Sequence, residues 1–307
     1  MSEMNPYLIE RPGVINFSGG RTSGLMLHQI VKAFGGKLPA DVLVNFENTG
    51  KERLETLDFV QECSRRWKVK VNWLEYRRDK SKPAVTKGRN GQPAVGQHSF
   101  TVVDYKTASR KGEPFDDLLD TYAAFRKEEK ELGPVLPNPV QRMCSGQLKI
   151  RTAGRYLVDR GFDLDHTTCA TGFRFDEPKR VAKMRARNAR GREEFECETE
   201  VAPLAVAGVI EQTVMTFWSA QPFDLQLEQH QGNCDLCFLK KVGNRRKIMK
   251  ENPDAAQWWI GKEEWSGQQF RKDEKPYRVQ LEMAQQVAAE DCEVGTDLLA
   301  EDCHCTG

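Results

Sequence analysis

The glycine- and hydroxyl-rich stretch FSGGRTSG, at residues 17–24, has residue types and a spacing that suggest chemistry. Apolar residues at 13–16 precede it and others resume at Leu25, which predicts a turn between a strand and a helix. Backbone N–H groups and the positive end of a helix converge on an anion at such a turn. The spacing matches neither GxGxxG nor a GK[ST] ending, so a plain turn with Ser/Thr capping is the alternative. The residues predicted to bind a phosphate are Ser18, Gly19, Gly20, Thr22, Ser23 and Gly24, with Arg21 as a catalytic cation.

A CxxC pair, CDLC at residues 234–237, is the second chemical feature. This spacing lets two thiolates reach one metal or cluster, but four thiolates are the usual requirement for an iron–sulfur cluster. We predict a 4Fe–4S cluster, and its expected ligands are Cys144, Cys234, Cys237 and one tail cysteine, Cys305 or Cys303. Zinc bound by the same four residues is the alternative. A metal-free redox pair is less favoured because no thioredoxin-like pattern surrounds it.

Seven basic residues fall between positions 179 and 192 with few opposing charges. They are Lys179, Arg180, Lys183, Arg185, Arg187, Arg190 and Arg192. Such a run could hold the phosphates of a nucleic acid, since phosphate contacts dominate that affinity. A solvated basic helix face is the alternative, and it is favoured because no aromatic residue is interleaved with the charges.

The surrounding pattern alternates strands with helices. Apolar runs at 14–17, 42–46 and 69–76 predict strands, and helical spacing appears at 25–34 and 54–67. This alternation predicts an α/β fold in which a twisted parallel sheet carries helices on both faces. Residues 77–114 are expected to leave the sheet as a long excursion. The predicted division is a nucleotide-binding domain at 1–230 and a small helical, cysteine-containing region at 231–307.

Composition limits the location and partners of the protein. The 307 residues include 46 basic and 45 acidic residues, so net charge favours neither nucleic acid nor membrane. No apolar segment approaches the length of a bilayer span, and residues 1–13 lack the features of a secretion signal, so we expect a cytoplasmic protein without a membrane partner.

Nine cysteines in such a chain predict thiols or metal ligands rather than a disulfide framework. Cys63 and Cys169 are expected to be small buried residues.

The segment SGGRTS at residues 18–23 resembles the SGGxDS loop of the PP-loop ATP pyrophosphatases, in the superfamily of adenine nucleotide alpha hydrolases. Four other segments resemble the phosphoadenosine phosphosulfate (PAPS) reductase family within it, and together these segments cover roughly residues 13–240. They are NTG at 48–50 with ETLDFV at 55–60, LKIR at 148–151 after Cys144, TGFR at 171–174, and the region 198–218. Two positions depart from the patterns: Thr22 replaces an expected Asp, and Ser145 follows Cys144 where a second Cys is usual.

The resemblance implies an adenine nucleotide, ATP or PAPS, as substrate, with Mg²⁺ as a candidate companion. It implies that Lys149 and Arg174 act as catalytic cations beside the turn. It also implies further nucleotide contacts from Asn48, Thr49, Gly50, Gly172 and Arg180. Cluster-bearing members of the family combine an upstream cysteine with a later CxxC, as this chain does.

Three functions follow as hypotheses. The first is an ATP pyrophosphatase that adenylates a substrate and uses the cluster in sulfur transfer or nucleic-acid modification; the intact SGG turn favours it. The second is a PAPS or related sulfonucleotide reductase, in which a tail cysteine attacks sulfur and sulfite leaves. The third is a non-catalytic accessory protein that binds nucleic acid. A sulfur-donor protein and a second copy of the chain are further candidate partners.

Overall fold

The computed structural model describes residues 5–88 and 91–286. Its strands are Gly13–Asn16 (β1), Val42–Asn48 (β2), Val71–Arg78 (β3), Val85–Lys87 (β4), Pro93–Val95 (β5), His98–Val103 (β6), Thr168–Ala170 (β7) and Thr199–Val201 (β8). Its α-helices are Arg21–Ala33 (α1), Leu54–Trp67 (α2), Glu113–Lys130 (α3), Arg151–Asp159 (α4), Pro178–Arg190 (α5), Pro203–Val206 (α6), Glu211–Ser219 (α7), Val242–Glu251 (α8), Ala255–Ser266 (α9) and Tyr277–Gln286 (α10). A π-helical segment, Cys144–Ile150, leads directly into α4.

One six-stranded sheet organises the molecule, in the order β6-β3-β2-β1-β7-β8. The strands β3, β2, β1, β7 and β8 pair in parallel. The predicted α/β class with a mostly parallel sheet is therefore confirmed.

The prediction of an all-parallel sheet is wrong at one edge, where β6 pairs antiparallel with β3. The segment after β3 was expected to leave the sheet, but it returns after the small β4–β5 hairpin. Because no crossover helix separates β3 from β6, the returning strand runs in the opposite direction. The sheet is mixed.

Helices cover both faces of the sheet. Alternate residues of β2 point to opposite faces, and Val44 and Phe46 join the hydrophobic cluster that contains residues of α1, α2 and α7. Leu43 lies on the other face, against Leu157 and Tyr156 of α4. The carboxyl ends of the parallel strands therefore lie between two helical layers.

The C-terminal helices α8, α9 and α10 build a second hydrophobic cluster. Trp259, Phe270 and Tyr277 are buried in it. The same cluster includes Leu118 of α3 and Leu148 of the π-helical segment, so these helices pack directly on the part of the chain that precedes them. No helix among residues 5–88 and 91–286 is long and apolar enough to cross a membrane.

The expectation for the cysteines needs one correction. Cys63 is fully buried in α2, as predicted. Cys169 of β7 is instead joined to Cys197 by a disulfide that ties the strand to the segment before β8. The sequence gives no signal for this pair, because the two residues meet only when β7 and β8 align in parallel.

Candidate functional site

Three loops meet at the edge of the sheet where β2, β1 and β7 end, here called the carboxyl edge. The glycine turn 17–20 follows β1, residues 49–53 follow β2, and residues 171–174 follow β7. Because these three strands are neighbours and run in parallel, their loops are brought together. The carboxyl edge of a parallel sheet is the usual ligand-binding position in open α/β folds.

The glycine turn has a backbone conformation that is unfavourable for a residue with a Cβ atom. Gly19 has φ +76°, and a Cβ at this position would lie 2.6 Å from Cγ2 of Thr56. The turn therefore packs against the start of α2 as closely as a glycine allows. Gly20 is the N-cap of α1, and no side chain caps that helix end. Backbone N–H groups at the start of α1 can therefore bind an anion.

Two hydroxyls frame the turn. Ser18 and Ser23 are both buried, and their Oγ atoms lie 3.0 Å apart in a hydrogen bond. Ser23 Oγ also lies 3.0 Å from the Gly20 carbonyl oxygen, to which it donates. These bonds fix the shape of the turn and leave each hydroxyl near the helix end.

The remaining predicted residues of the stretch have different surroundings. Thr22 is a partly exposed residue in the first turn of α1. A Cβ at Gly24 would lie 2.8 Å from Cζ2 of Trp218, so this glycine allows α7 to approach α1. Gly24 thus serves packing of the helix rather than the turn itself.

The Asn-Thr-Gly segment after β2 is tightly bonded. Asn48 Nδ2 donates to Glu75 Oε1 over 2.6 Å and to the Ser109 carbonyl over 2.8 Å. Asn48 Oδ1 accepts from the Gly50 N–H over 3.0 Å. Thr49 donates from both its N–H and its Oγ1 to Glu52 Oε2, over 2.7 and 2.8 Å. In this arrangement Asn48, Thr49 and Gly50 shape the floor of the carboxyl edge.

A buried charge cluster lies beside this floor. Lys149, on the π-helical segment, is 3.6 Å from Glu52 Oε1 in an ion pair, and both side chains are almost fully buried. Glu47, near the end of β2, lies near both of them and is 5% exposed. Burial raises the pKa of Glu47 to about 7, and the nearby Lys149 partly opposes the shift. The protonated form of Glu47 is therefore accessible near neutral pH.

Buried side-chain atoms without a hydrogen-bond partner concentrate at the carboxyl edge. Among residues 5–88 and 91–286 there are eight such atoms, and five of them belong to residues 45–56. The five are Asn45 Nδ2, Glu47 Oε1, Glu52 Oε1, Arg53 Nε and Thr56 Oγ1. Buried polar groups in folded proteins nearly always have partners, so a group of such atoms beside a glycine turn is typical of a ligand site.

The loop after β7 completes the carboxyl edge. Gly172 lies against the glycine turn's helix, since a Cβ there would lie 3.2 Å from Cα of Ser23. Thr171 Oγ1 donates to Glu200 Oε1 over 2.8 Å. Arg174 is mostly buried and pairs with Asp176 at 2.8 Å and with Glu211 at 3.4 Å. Arg174 is therefore held beside the loop after β7 by acidic partners.

Two of the predicted cations serve other contacts. Arg21 forms a two-pronged ion pair with Asp224, with both N–O distances 2.8 Å, and it donates to backbone carbonyls of 225 and 227. Arg180 Nη1 lies 2.6 Å from Glu177 Oε1, and the guanidinium lies 4.8 Å from the ring centroid of Phe173. Lys149 contacts the loop after β2 through Glu52, whereas Arg21 secures the segment that follows α7.

The basic run forms α5 and its C-terminal end. Arg187 pairs with Glu200, Arg190 with Glu193, and Arg192 with Asp165. Lys179, Lys183 and Arg185 are exposed on this helix. The helix begins next to the loop after β7 and carries its charges along the protein surface.

The predicted cluster ligands occupy one region. Cys144 and Cys234 border the second hydrophobic cluster, Cys237 is buried between its members Leu236 and Phe238 in the chain, and none of the three is in a disulfide. No three His, Cys, Asp or Glu side chains within the described ranges are grouped as metal ligands. Cys303 and Cys305 lie outside the described residues. The 4Fe–4S cluster and the zinc alternative both remain predictions.

Four residues of the carboxyl edge were not identified as site residues from the sequence. They are Glu47, Glu52, Thr56 and Asn233. For Glu47 and Glu52 a signal existed, since polar residues just after a predicted buried strand belong at the carboxyl edge of a parallel sheet. Thr56 lies in α2, where the helical pattern does not mark it. Asn233 had no such signal, because it reaches the turn from a distant part of the chain.

Comparison with known proteins gives one relative and no function. The chain is 29% identical to the uncharacterized nin region protein ORF290 of Escherichia phage lambda over 235 residues, which are 75% of this chain. The matched region spans 66% of that protein's length. No protein-family profile matches the sequence, and no solved structure matches it.

Proposed function

We propose that the chain binds ATP at the carboxyl edge and is a PAPS reductase-like enzyme of the adenine nucleotide alpha hydrolase superfamily. The observation that carries the proposal is the coincidence of the glycine turn with buried polar atoms of residues 45–56 that make no hydrogen bond. A nucleotide that filled this position would give those atoms hydrogen-bond partners. The motif resemblances in the sequence support the choice of an adenine nucleotide.

In this proposal the phosphates lie at the glycine turn. Backbone N–H groups at the start of α1 donate to phosphate oxygens, and the hydrogen bonds of Ser18 and Ser23 hold the turn in shape. Lys149, in its ion pair with Glu52, is the candidate cation that offsets phosphate charge. Protonation of Glu47 removes one negative charge from the cluster, which lowers its repulsion of the phosphates. Mg²⁺ is a candidate companion of the phosphates.

The proposed reaction is attack of a substrate oxygen on the α-phosphorus. The new bond joins that oxygen to the α-phosphorus, the bridging bond to the β-phosphate breaks, and pyrophosphate leaves. Sulfur transfer to the adenylated substrate would follow, with AMP as the leaving group, and an iron–sulfur cluster would supply the sulfur chemistry. The described residues do not form a complete set of ligands for such a cluster.

Product analysis of the full chain under anaerobic conditions tests the proposal. The protein is incubated with ATP, and separately with PAPS and dithiothreitol as the thiol reductant, and AMP, pyrophosphate and sulfite are measured. AMP with pyrophosphate from ATP, released when water takes the place of the substrate oxygen, is the expected result. Sulfite from PAPS would replace the proposal with the reductase. Neither product, together with no binding of α,β-methylene ATP in calorimetry, would leave the non-catalytic accessory role.

The metal prediction has its own measurement. Iron and acid-labile sulfide in anaerobically purified protein, with broad visible absorbance that air bleaches, are the expected result. Stoichiometric zinc without iron would contradict the cluster.

A further inference from the structure

Asn233 lies directly over the glycine turn. Its Nδ2 donates to the Ser18 carbonyl oxygen over 3.0 Å. A Cβ on Gly20 would lie 3.3 Å from the same nitrogen, so the amide covers the turn without leaving space between them. The contact is to the turn's backbone and therefore restrains its path rather than one side chain.

The backbone of Asn233 holds the neighbouring loop as well. Its carbonyl oxygen accepts from the N–H of Arg53, the N-cap of α2, over 2.8 Å. The N–H of Asp235 donates to the Lys51 carbonyl over 2.9 Å, and Glu52 pairs with Cys234 in an antiparallel bridge. Residues 233–237, here called the cysteine segment, thus pair with the loop after β2 as a short strand would.

Buried side chains anchor this pairing. Lys51 Nζ lies 2.8 Å from Asp235 Oδ2, and both side chains are mostly buried. The indole N–H of Trp259 donates to Asp235 Oδ1 over 3.0 Å. Because Trp259 belongs to the second hydrophobic cluster, the cysteine segment is fixed to the C-terminal helices on one side and to the carboxyl edge on the other.

We propose that Asn233 is a positioning residue that sets the glycine turn for nucleotide and couples nucleotide binding to the cysteine segment. This inference rests on the proposed function. Nucleotide bound at the turn favours one position of the Ser18 carbonyl, and Asn233 passes that restraint to Cys234, its neighbour in the chain. By linkage, if metal binding by the cysteine pair changes the affinity for nucleotide by some factor, nucleotide changes the affinity for that metal by the same factor.

Calorimetry with α,β-methylene ATP tests the positioning role. Asn233→Ala removes the bond to Ser18 and is expected to weaken binding about 5- to 30-fold, the worth of one or two hydrogen bonds. Asn233→Asp keeps the size, removes the donor and is expected to weaken binding at least as much. Gln231→Ala is the matched control, because its amide contacts Glu228 and Glu251 away from the turn. It should bind as wild type does.

Hydrogen exchange with peptide-level resolution tests the coupling. In the wild-type chain, saturating α,β-methylene ATP should slow exchange both in residues 17–24 and in the cysteine segment. In Asn233→Ala at saturating nucleotide, protection of 17–24 should remain and that of the cysteine segment should be lost. A residue that only stabilises the fold would change exchange without the nucleotide and leave the nucleotide-dependent difference in place.

The outcomes separate the inference from the function on which it rests. Wild-type affinity in both Asn233 variants, or full nucleotide-dependent protection of the cysteine segment in Asn233→Ala, would overturn the inference while the proposed function stands. Absence of any nucleotide binding by the wild-type chain would overturn both. Weaker binding in both variants with uncoupled protection would support the inference.

Discussion

Gly19 approaches Thr56 so closely that a Cβ on the glycine would lie 2.6 Å from the threonine Cγ2. The contact joins the turn after β1 to the start of α2, and it occurs at a residue with φ +76°. The positive φ and the close contact with Thr56 therefore both restrict residue 19, which belongs to the candidate nucleotide site.

Gly19→Ala is therefore expected to damage the fold and the site together. The positive φ costs about 1–2 kcal/mol for a residue with a Cβ, and forced overpacking adds about 1–3 kcal/mol. We expect the free energy of unfolding to fall by about 2–5 kcal/mol and nucleotide binding to be lost, as measured by denaturant titration and calorimetry.

Gly35→Ala is the control for this prediction. Gly35 has φ +72°, but a Cβ there would meet no atom within 4 Å. Only the conformational cost of about 1–2 kcal/mol should appear, and nucleotide binding should be unchanged. An equal loss of stability in both variants would show that the contact with Thr56 is not what constrains the turn.

Glu47→Gln is expected to change how stability depends on pH. The pKa of Glu47 is raised in the folded state to about 7 from an ordinary value of 4.5. The folded chain holds the extra proton between these values, so the contribution of Glu47 to stability falls as pH rises from about 4.5 to about 7 and is constant above. The variant lacks this loss. Its free energy of unfolding, relative to that of wild type, should therefore rise by up to about 3 kcal/mol between pH 4.5 and pH 8.

The difference between the two proteins, measured by denaturant unfolding at several pH values, isolates Glu47 because the other titrating groups are shared. A difference that stays constant from pH 4.5 to pH 8 would contradict the raised pKa.

The carboxyl edge could be predicted from the sequence in part. Buried apolar runs locate β1 and β2, and helical spacing locates α1 and α2, because both patterns are local. The turn between β1 and α1 follows from its glycines and hydroxyls.

Contacts between distant parts of the chain could not be predicted. Asn233 reaches Ser18 across 215 residues, and Arg21 reaches Asp224 across 203. These pairs depend on how α7 and the cysteine segment pack, and local sequence patterns do not predict that packing. The position of Arg21 in the turn is a local property that the sequence shows, whereas its partner Asp224 is not.

Arg21→Lys should reveal the structural importance of the pair with Asp224. Lysine keeps the charge but cannot make the two-pronged contact or reach the backbone carbonyls at 225 and 227. Because the pair is largely buried, we expect a loss of about 1–3 kcal/mol in the free energy of unfolding.

The exposed pair of Arg11 and Asp41 provides the comparison, since both of its side chains are more than 40% exposed. Arg11→Lys should change stability by less than about 0.5 kcal/mol. Similar small effects of both substitutions would leave room for a direct role of Arg21 at the nucleotide.

Basic residues of α5 are expected to divide into structural and surface groups. Arg187 pairs with Glu200, a mostly buried carboxylate that also accepts from Thr171 Oγ1 over 2.8 Å. Arg187→Ala leaves that carboxylate without its cation and should cost about 1–3 kcal/mol in denaturant unfolding. Arg185 is exposed, and Arg185→Ala should stay within about 0.5 kcal/mol of wild type.

This division decides how binding of nucleic acid by α5 should be tested. Loss of binding in Arg187→Ala could follow from a displaced loop after β7, so the informative variant is Lys179→Ala with Arg185→Ala, which changes surface charge alone. If α5 holds nucleic acid, this double variant should weaken binding of a labelled oligonucleotide and reduce the slope of log affinity against log salt by about 1–2, measured by fluorescence anisotropy. Unchanged affinity and slope would assign the basic run to a solvated helix face.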